Sequence, residues 1–204
     1  MGQQNLESIR SLKMDVTEID GFGKGQKYEM IKKRPNKIRK EGTQLGKPFK
    51  MGFDGDTAWV HFPESGMAPY ELDSIGTHRM LIESIIGSPL VLKNREDAIL
   101  TVKGSGYIDR KPNYILRLSI GLIITDFFID KKDFLLKKVV YYSDLYGEQV
   151  DLEVTYSNYQ RLGSFLFPYK MERYHGDDPV IDVIVGEIAV GIGAANSTFR
   201  FPKI

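Results

Sequence analysis

The sequence contains no cysteine, so the protein has no disulfide bond, no thiolate nucleophile and no cysteine-ligated metal. An excess of charge of either sign is also missing, because 28 lysine and arginine residues face 27 aspartate and glutamate residues. The resulting net charge of +1 creates no field that would gather nucleic acid or an anionic membrane surface. We therefore expect no nucleic-acid partner.

Long hydrophobic runs are absent as well. The most apolar window, Ile115 to Ile129, is interrupted by Arg117 and Asp126, and it is too short to span a bilayer as a helix. The first residues, Met1 to Asn5, lack the basic start and apolar run of a signal peptide. Either the chain has no signal peptide or the peptide has been removed.

The chain also lacks long internal repeats and low-complexity linkers, so no domain boundary is visible. Hydrophobic residues make up 42% and charged residues 27% of the chain, which is an ordinary balance for a globular protein. We expect one domain over residues 1–204.

Short segments with alternating apolar residues dominate what is present. Leu12, Met14 and Val16 alternate with polar residues, which is the period-2 pattern of a half-buried strand. Similar segments, mostly separated by Gly, Pro, Asn or Asp, predict an antiparallel meander. They are Tyr28–Lys32, Ile38–Glu41, Phe49–Phe53, Thr57–Phe62, Ala98–Val102, Tyr114–Ile120, Leu122–Ile129, Phe134–Tyr142, Val150–Tyr159, Phe167–Tyr174 and Val180–Val190.

One segment has helical rather than alternating spacing. Apolar residues between Pro69 and Gly87 form an approximate helical stripe, which predicts a helix over Leu72 to Ile86. A sheet of this many antiparallel strands must curl, and the helix can then cover its concave side. The predicted fold class is mainly β: a half-open, strongly curved antiparallel barrel of about eleven strands with a helical lid.

Three motifs, taken in order, resemble the outer-membrane lipoprotein carrier superfamily, whose members are LolA-like and LolB-like proteins. The segment from Lys33 to Arg39 is similar to a motif at the start of one strand in the family, in which Arg-Pro is followed by a short turn and then by an apolar residue that points into the barrel. The segment from Phe53 to Trp59 matches an Asp-Gly hairpin followed by tryptophan. Gly163 with Phe167-Pro168, and later the segment from Phe199 to Pro202, are similar to its last strands.

This resemblance implies the same half-open barrel and a function without catalysis or cofactor. The expected function is binding or shuttling of lipidated proteins, or of other ligands with acyl chains, in an apolar cavity. The expected location is the periplasm, with the signal sequence removed and with membrane anchoring as a lipoprotein left open. The protein is expected to be monomeric, with envelope membrane proteins as further partners.

Seven residues are candidates for the ligand site or the lid, and all of them except Ile38 have a structural alternative. Arg34 resembles a family arginine that donates hydrogen bonds to the lid backbone, but it could be a solvated residue of a basic run. Trp59 could line the cavity or fill a small core. Ile38 stands at the inward-pointing position, where family carriers often have an aromatic residue. The lid underside is predicted to consist of Met80, Ile82, Ile85 and Ile86, although a helix packed onto a filled barrel gives the same pattern.

Catalytic and metal sites are not predicted. The sequence has no Gly-x-Ser-x-Gly elbow or comparable motif. Gly21 to Gly25 suits a hairpin loop better than a phosphate loop, and His175 to Asp178 suits a polar turn better than a metal site. A non-catalytic alternative stays open: a protein-interaction or sensor module that uses the concave face. A hydrolase would need a clustered acid and base that the sequence does not locate.

Overall fold

The computed structural model describes residues 9–121, 123–142, 149–163, 165–176, 178 and 180–202. Within these ranges, thirteen strands form one antiparallel sheet. In chain order they are β1 Ser11–Ile19, β2 Gly25–Lys33, β3 Lys37–Gln44, β4 Lys47–Phe53, β5 Ala58–His61, β6 Tyr70–Glu71, β7 Ala98–Ile108, β8 Lys111–Ile120, β9 Ile123–Asp130, β10 Leu136–Tyr142, β11 Val150–Leu162, β12 Phe165–Tyr174 and β13 Ile181–Val190. The described residues contain one α-helix, α1, at Ser74–Ser84, and short 3-10 helices at Pro63–Ser65, Pro89–Asn94 and Asn196–Phe199.

Two meanders meet at the centre of the sheet. The strand order is β6-β5-β4-β3-β2-β1-β13-β12-β11-β10-β9-β8-β7, so every neighbouring pair except β1 and β13 is also consecutive in the chain. The two strands of this seam pair from Leu12 opposite Val190 to Ile19 opposite Asp182, with a register shift between Met14 and Val16. The seam therefore joins an arm of six strands to an arm of seven.

The helix begins where Asp73 caps it. The Asp73 carboxylate accepts a hydrogen bond from the Gly76 amide at 2.7 Å, which satisfies one of the amides that lack a partner at a helix start. At the other end, Gly87 has a φ of 101°, a conformation that suits glycine, just before Pro89.

Contacts of α1 with both arms show how strongly the sheet curls. The helix packs on β3, β4 and β5, while its His78 ring lies 2.8 Å from the hydroxyl of Thr125 in β9. An 11-residue helix is about 16 Å long. Strands β5 and β9 are nine positions apart in the sheet, which would be about 43 Å if the sheet were flat. The sheet must therefore wrap around the helix.

The main hydrophobic core lies on the concave face, between α1 and both arms. It contains alternate residues of the central strands together with the underside of the helix. Buried members from the sheet include Leu12, Met14, Val16, Met30, Ile38, Phe53, Leu118, Phe127, Val139, Val154, Val183 and Val185.

The fold class predicted from the sequence is confirmed: the protein is mainly β, and its antiparallel sheet is open and curved, with the helix on the concave side. The strand count was too low, because the sheet has thirteen strands rather than about eleven. Strand β6 has two residues and follows Pro69, so it is too short to show alternation. The helix is shorter than predicted and leaves Ile85 and Ile86 in extended backbone or turn. Within the described ranges, no helix combines the length and apolarity needed to cross a membrane.

Candidate functional site beneath the helix

The underside of α1 and the segment after it supply the apolar part of the site. Met80, Ile82, Ile85 and Ile86 are all buried, and they share one cluster with Ile38 of β3. Leu81 is buried in the same cluster and was not among the predicted residues. The helix thus packs directly onto this arm of the sheet, and its ligand-contacting role stays a prediction.

Arg34 joins the turn after β2 to the end of the helical segment. Its guanidinium donates one hydrogen bond to the Ile86 carbonyl at 3.0 Å and another to the Ile9 carbonyl at 2.9 Å. The first is the contact with the predicted lid segment that the family resemblance implies. A charged donor at a carbonyl that follows the helix also suits the negative end of the helix dipole.

The basic run around Arg34 is divided between the two faces of the sheet. Lys32 points to the concave side, where its ammonium donates to the Glu83 carbonyl at 2.5 Å. Lys33 points away and donates to the Ala194 carbonyl at 2.7 Å. The three side chains are therefore engaged by the protein itself: Lys32 and Arg34 bind the helical segment, and Lys33 binds the chain at Ala194.

Glu83 is the centre of a charged network on the concave face. Its carboxylate lies 2.7 Å from the ammonium of Lys40 in β3 and 3.8 Å from the guanidinium of Arg173 in β12. Arg173 also pairs with Glu18 of β1 at 2.7 Å. Glu18 in addition accepts a hydrogen bond from the Tyr28 hydroxyl at 2.7 Å. Side chains from four strands thus meet under one residue of the helix.

The pKa values in this network correspond to ionised carboxylates and protonated cations at neutral pH. Burial alone would raise the pKa of Glu83, but Lys40, Arg173 and Lys32 outweigh it and hold that pKa at about 2. Burial likewise opposes ionisation of Glu18, yet Arg173 and Lys40 lower its pKa. Burial lowers the pKa of Lys32 to about 8, which still leaves it mostly protonated at neutral pH. Neither carboxyl is therefore a proton donor near neutral pH.

The helix reaches the opposite arm through two polar contacts of its first half. The His78 ring contacts the Thr125 hydroxyl of β9, and Arg79 forms an ion pair with Asp151 of β11. Burial, together with the charge of Arg95, lowers the pKa of His78 to about 4. His78 is therefore a neutral hydrogen-bonding residue at physiological pH.

A row of half-buried side chains on β12 leads to the charged network. Phe165, Phe167 and Tyr169 occupy alternate positions, and successive rings meet edge to face with centroids 6.4 Å and 6.1 Å apart. Met171 and Arg173 continue the same face of the strand. From Phe167 to Arg173 this row covers about 20 Å, and its half-buried members lie against the concave core.

Trp59 lies on the opposite face of the sheet from α1. Its neighbour Ala58 belongs to the concave core, so Trp59 points to the convex side, where its ring lies over Gly52. The indole donates to the Phe199 carbonyl at 3.0 Å and packs against Phe201. Trp59 is thus fully buried in a small cluster on the convex face, and a role for it in ligand binding stays a prediction. The segment from Phe199 to Pro202 covers it as a 3-10 turn and extended chain, not as the terminal strand that the resemblance implied.

The positions of the His, Asp and Glu side chains decide whether the site could hold a metal ion. Among them, no group of three or more His, Asp or Glu side chains is placed to hold a metal ion. His175 lies 3.3 Å from Asp151, which in turn pairs with Arg79 of the helix.

Sequence reasoning missed the charged network, although a local signal for it exists. Glu18, Lys40 and Arg173 each occupy a position in phase with buried or half-buried apolar residues of their strand, as Glu18 does after Leu12, Met14 and Val16. An inward-pointing charge in an alternating strand demands a partner. The sequence does not say which partner it finds.

No family model matches this chain, and no curated protein matches it significantly. Solved structures do match. A LolA superfamily protein from Nitrosomonas europaea has a TM-score of 0.68 at 14% identity, with 98% of each chain covered. A domain named for outer membrane lipoprotein sorting, from Vibrio parahaemolyticus, has a TM-score of 0.64 at 12% identity, covering 97% of this chain and 94% of that one.

A DUF1329 family protein from Desulfovibrio piger has the same TM-score of 0.64 at 12% identity, covering 97% of this chain and 92% of that one. Identities this low establish fold and not activity. The family resemblance inferred from three sequence motifs is thereby confirmed at the level of the fold: over nearly its whole length, this chain folds as LolA superfamily proteins do.

Proposed function

We propose that the protein binds a ligand with an acyl chain, either free or attached to a lipidated protein, along the concave face of its sheet, and that it catalyses no reaction. The observation that carries this proposal is the half-buried row on β12, which runs from Phe167 to Arg173 beside a helix held by polar contacts. Burial of an acyl chain stabilises a complex by about 0.8 kcal/mol per methylene. A chain laid along this row would therefore gain useful affinity.

The polar contacts of α1 support a helix that can move. Arg34, Lys32 and Lys40 hold its C-terminal end, and His78 and Arg79 hold its first half. Such contacts can be exchanged for contacts with water or ligand, and the apolar underside, which now packs on the sheet, would keep an apolar partner if an acyl chain replaced the sheet. We propose that Ile38, Met80, Ile82, Ile85 and Ile86 contact the acyl chain when the helix moves.

The absence of catalysis is supported by the state of the ionisable groups. Glu18 and Glu83 have lowered pKa values and are paired with cations, so they are poor general acids at neutral pH. The Nε2 atom of His78 is hydrogen-bonded to the Thr125 hydroxyl inside the protein.

The location and the domain organisation are also part of the proposal. The Vibrio parahaemolyticus neighbour is named for outer membrane lipoprotein sorting, and on that basis we propose a periplasmic location and envelope proteins as partners. Since one sheet contains all thirteen strands, we propose that residues 1–204 form one domain and act as a monomer.

A fluorescent acyl probe tests this function. Phe167→Ser removes a ring from the β12 row and should weaken probe binding about tenfold or more, since burying such a side chain is worth about 1.5–3 kcal/mol. Leu166→Ser is the matched control, because Leu166 is 46% exposed and points to the other face. Native mass spectrometry of the purified protein should in addition detect bound lipid.

Two results would count against acyl binding: equal probe affinities for Phe167→Ser and the unmodified protein, or no probe binding at all. A second candidate, the interaction or sensor module, is favoured by the charged network, since a concave face with polar groups also suits a protein ligand. Binding of a partner protein that leaves acyl probe binding unchanged would support that alternative.

A further inference from the structure

We infer that the Glu83 carboxylate occupies a cationic site that receives the anionic head group of the ligand, a carboxylate or a phosphate monoester, when the helix moves away. This inference rests on the proposed acyl binding and adds the chemical class of the head group. In this arrangement Glu83 is an internal substitute for the ligand, and helix and ligand compete for the same cations.

Three cations from three strands converge on α1. Lys40 of β3 contacts the Glu83 carboxylate at 2.7 Å, Arg173 of β12 approaches it to 3.8 Å, and Lys32 of β2 binds the Glu83 backbone carbonyl at 2.5 Å. Among the described residues in this network, the sheet itself contributes one carboxylate, Glu18. Tyr28 also faces the network, and burial raises its pKa well above the ordinary value, so it adds no negative charge.

Movement of the helix would therefore uncover an excess of positive charge. Lys40 is only 9% exposed in its side chain and forms its ion pair with Glu83, whereas Glu18, which also feels the charge of Lys40, pairs directly with Arg173. Without Glu83, the cations Lys32, Lys40 and Arg173 would share the single carboxylate of Glu18, and poorly solvated cations in excess over their counter-charges are unfavourable. The open state consequently needs an anion in place of Glu83, and a neutral ligand cannot supply one.

The position of the cations suits an amphiphile with its head at one end. Arg173 ends the β12 row, in phase with Met171, Tyr169 and Phe167. Next to it, Val154 of β11 and Ile181 of β13 pair with Arg173 across the sheet. An acyl chain on the row would thus place its head group beside Arg173 and Lys40.

Binding of three ten-carbon amphiphiles to the full chain tests the inference: decanoate, decyl phosphate and neutral decanol, measured by calorimetry below their aggregation concentrations. They share one tail and differ in the head group. We expect decanoate, decyl phosphate or both to bind at least about tenfold more tightly than decanol, which is the scale of one charge-assisted hydrogen bond. The ranking of decanoate against decyl phosphate then identifies the head-group source as fatty acid or phosphorylated lipid.

Two variants locate the effect. Glu83→Gln removes the internal competitor, so the ratio of anionic to neutral affinity should rise about tenfold, whereas Glu64→Gln, an exposed control, should leave it unchanged. Lys40→Gln should reduce that ratio towards one, while the exposed Lys47→Gln should not. Hydrogen exchange of the Ser74–Ser84 amides should accelerate when an anionic ligand binds, because the helix loses its contacts with the sheet.

The outcomes separate this inference from the function on which it rests. Binding of all three amphiphiles with equal affinity would overturn the head-group site and leave acyl binding intact. Binding of none would overturn both. A preference for anions that survives in Lys40→Gln, or helix amides that stay equally protected in the complex, would also overturn the inference. The comparison on the unmodified protein needs no variant to fold.

Discussion

His78 makes the stability of the protein depend on pH at the scale of a single residue. The folded form binds a proton on His78 only near pH 4, whereas an unfolded histidine does so near its ordinary pKa of about 6.5. Between these values the unfolded state binds more protons, so the free energy of unfolding falls as pH falls, by up to about 1.4 kcal/mol per pH unit. His78→Gln should flatten this dependence in urea unfolding between about pH 6.5 and pH 5. His61→Gln is the control, and an equally steep fall in His78→Gln would contradict the assignment.

Arg34 is the second residue with a distinct prediction. Arg34→Leu removes the hydrogen bond to the Ile86 carbonyl and should favour the open helix, because a charge-assisted bond is worth about 1.5–3 kcal/mol. The association rate of an acyl probe should then rise about tenfold in stopped-flow fluorescence. Arg161→Leu, an exposed arginine at the end of β11, should leave the rate unchanged. An unaltered rate in Arg34→Leu would mean that this contact does not limit opening.

The helix cap sets the stability of α1 at the scale of the element. Asp73→Ala removes the acceptor of the Gly76 amide, which costs a helix about 1 kcal/mol. Hydrogen exchange within Ser74–Ser84 should therefore accelerate about fivefold, while β1 and β13 keep their protection. Glu71→Ala, an exposed neighbour on β6, serves as the control. If exchange rose equally in the central strands, α1 would not open on its own.

The seam between β1 and β13 governs the whole molecule, since it is the only junction of the two arms within the described sheet. Val183 on this seam is fully buried, and Val183→Ala should lower the free energy of unfolding by about 2 kcal/mol. Ile184→Ala is the control, because Ile184 is 41% exposed on the other face.

Both arms should lose stability together in Val183→Ala. Trp59 reports on the arm from β1 to β6 by fluorescence, and far-ultraviolet circular dichroism reports on the entire sheet. Coincident denaturation midpoints are expected, since neither arm can bury its concave face without the other. Separate midpoints would indicate two independently stable halves.

Local patterns in the sequence were sufficient for the fold class, for the longer strands and for the position of the helix, but not for the two-residue strand β6 or the ends of the helix. Side-chain direction repeats every two residues in a strand, so Leu12, Met14 and Val16 mark one face of β1. It repeats about every 3.6 residues in a helix, so the apolar stripe from Leu72 to Ile86 marks the region that contains α1. The carrier-like motifs additionally pointed to Arg34 as a contact of the lid segment, and its bond to Ile86 is present.

Tertiary structure alone decided which side chains meet. Alternation places Trp59 on the face opposite to Ala58 but cannot say that the chain at Phe199, 140 residues away in sequence, returns to cover it. It places Lys40 and Arg173 on the inward face, yet their common partner Glu83 lies on a helix between them in the chain. Sequence periodicity is a property of neighbouring residues, whereas these contacts depend on strand order and on how tightly the sheet curls around α1. The candidate site exists because of that curl.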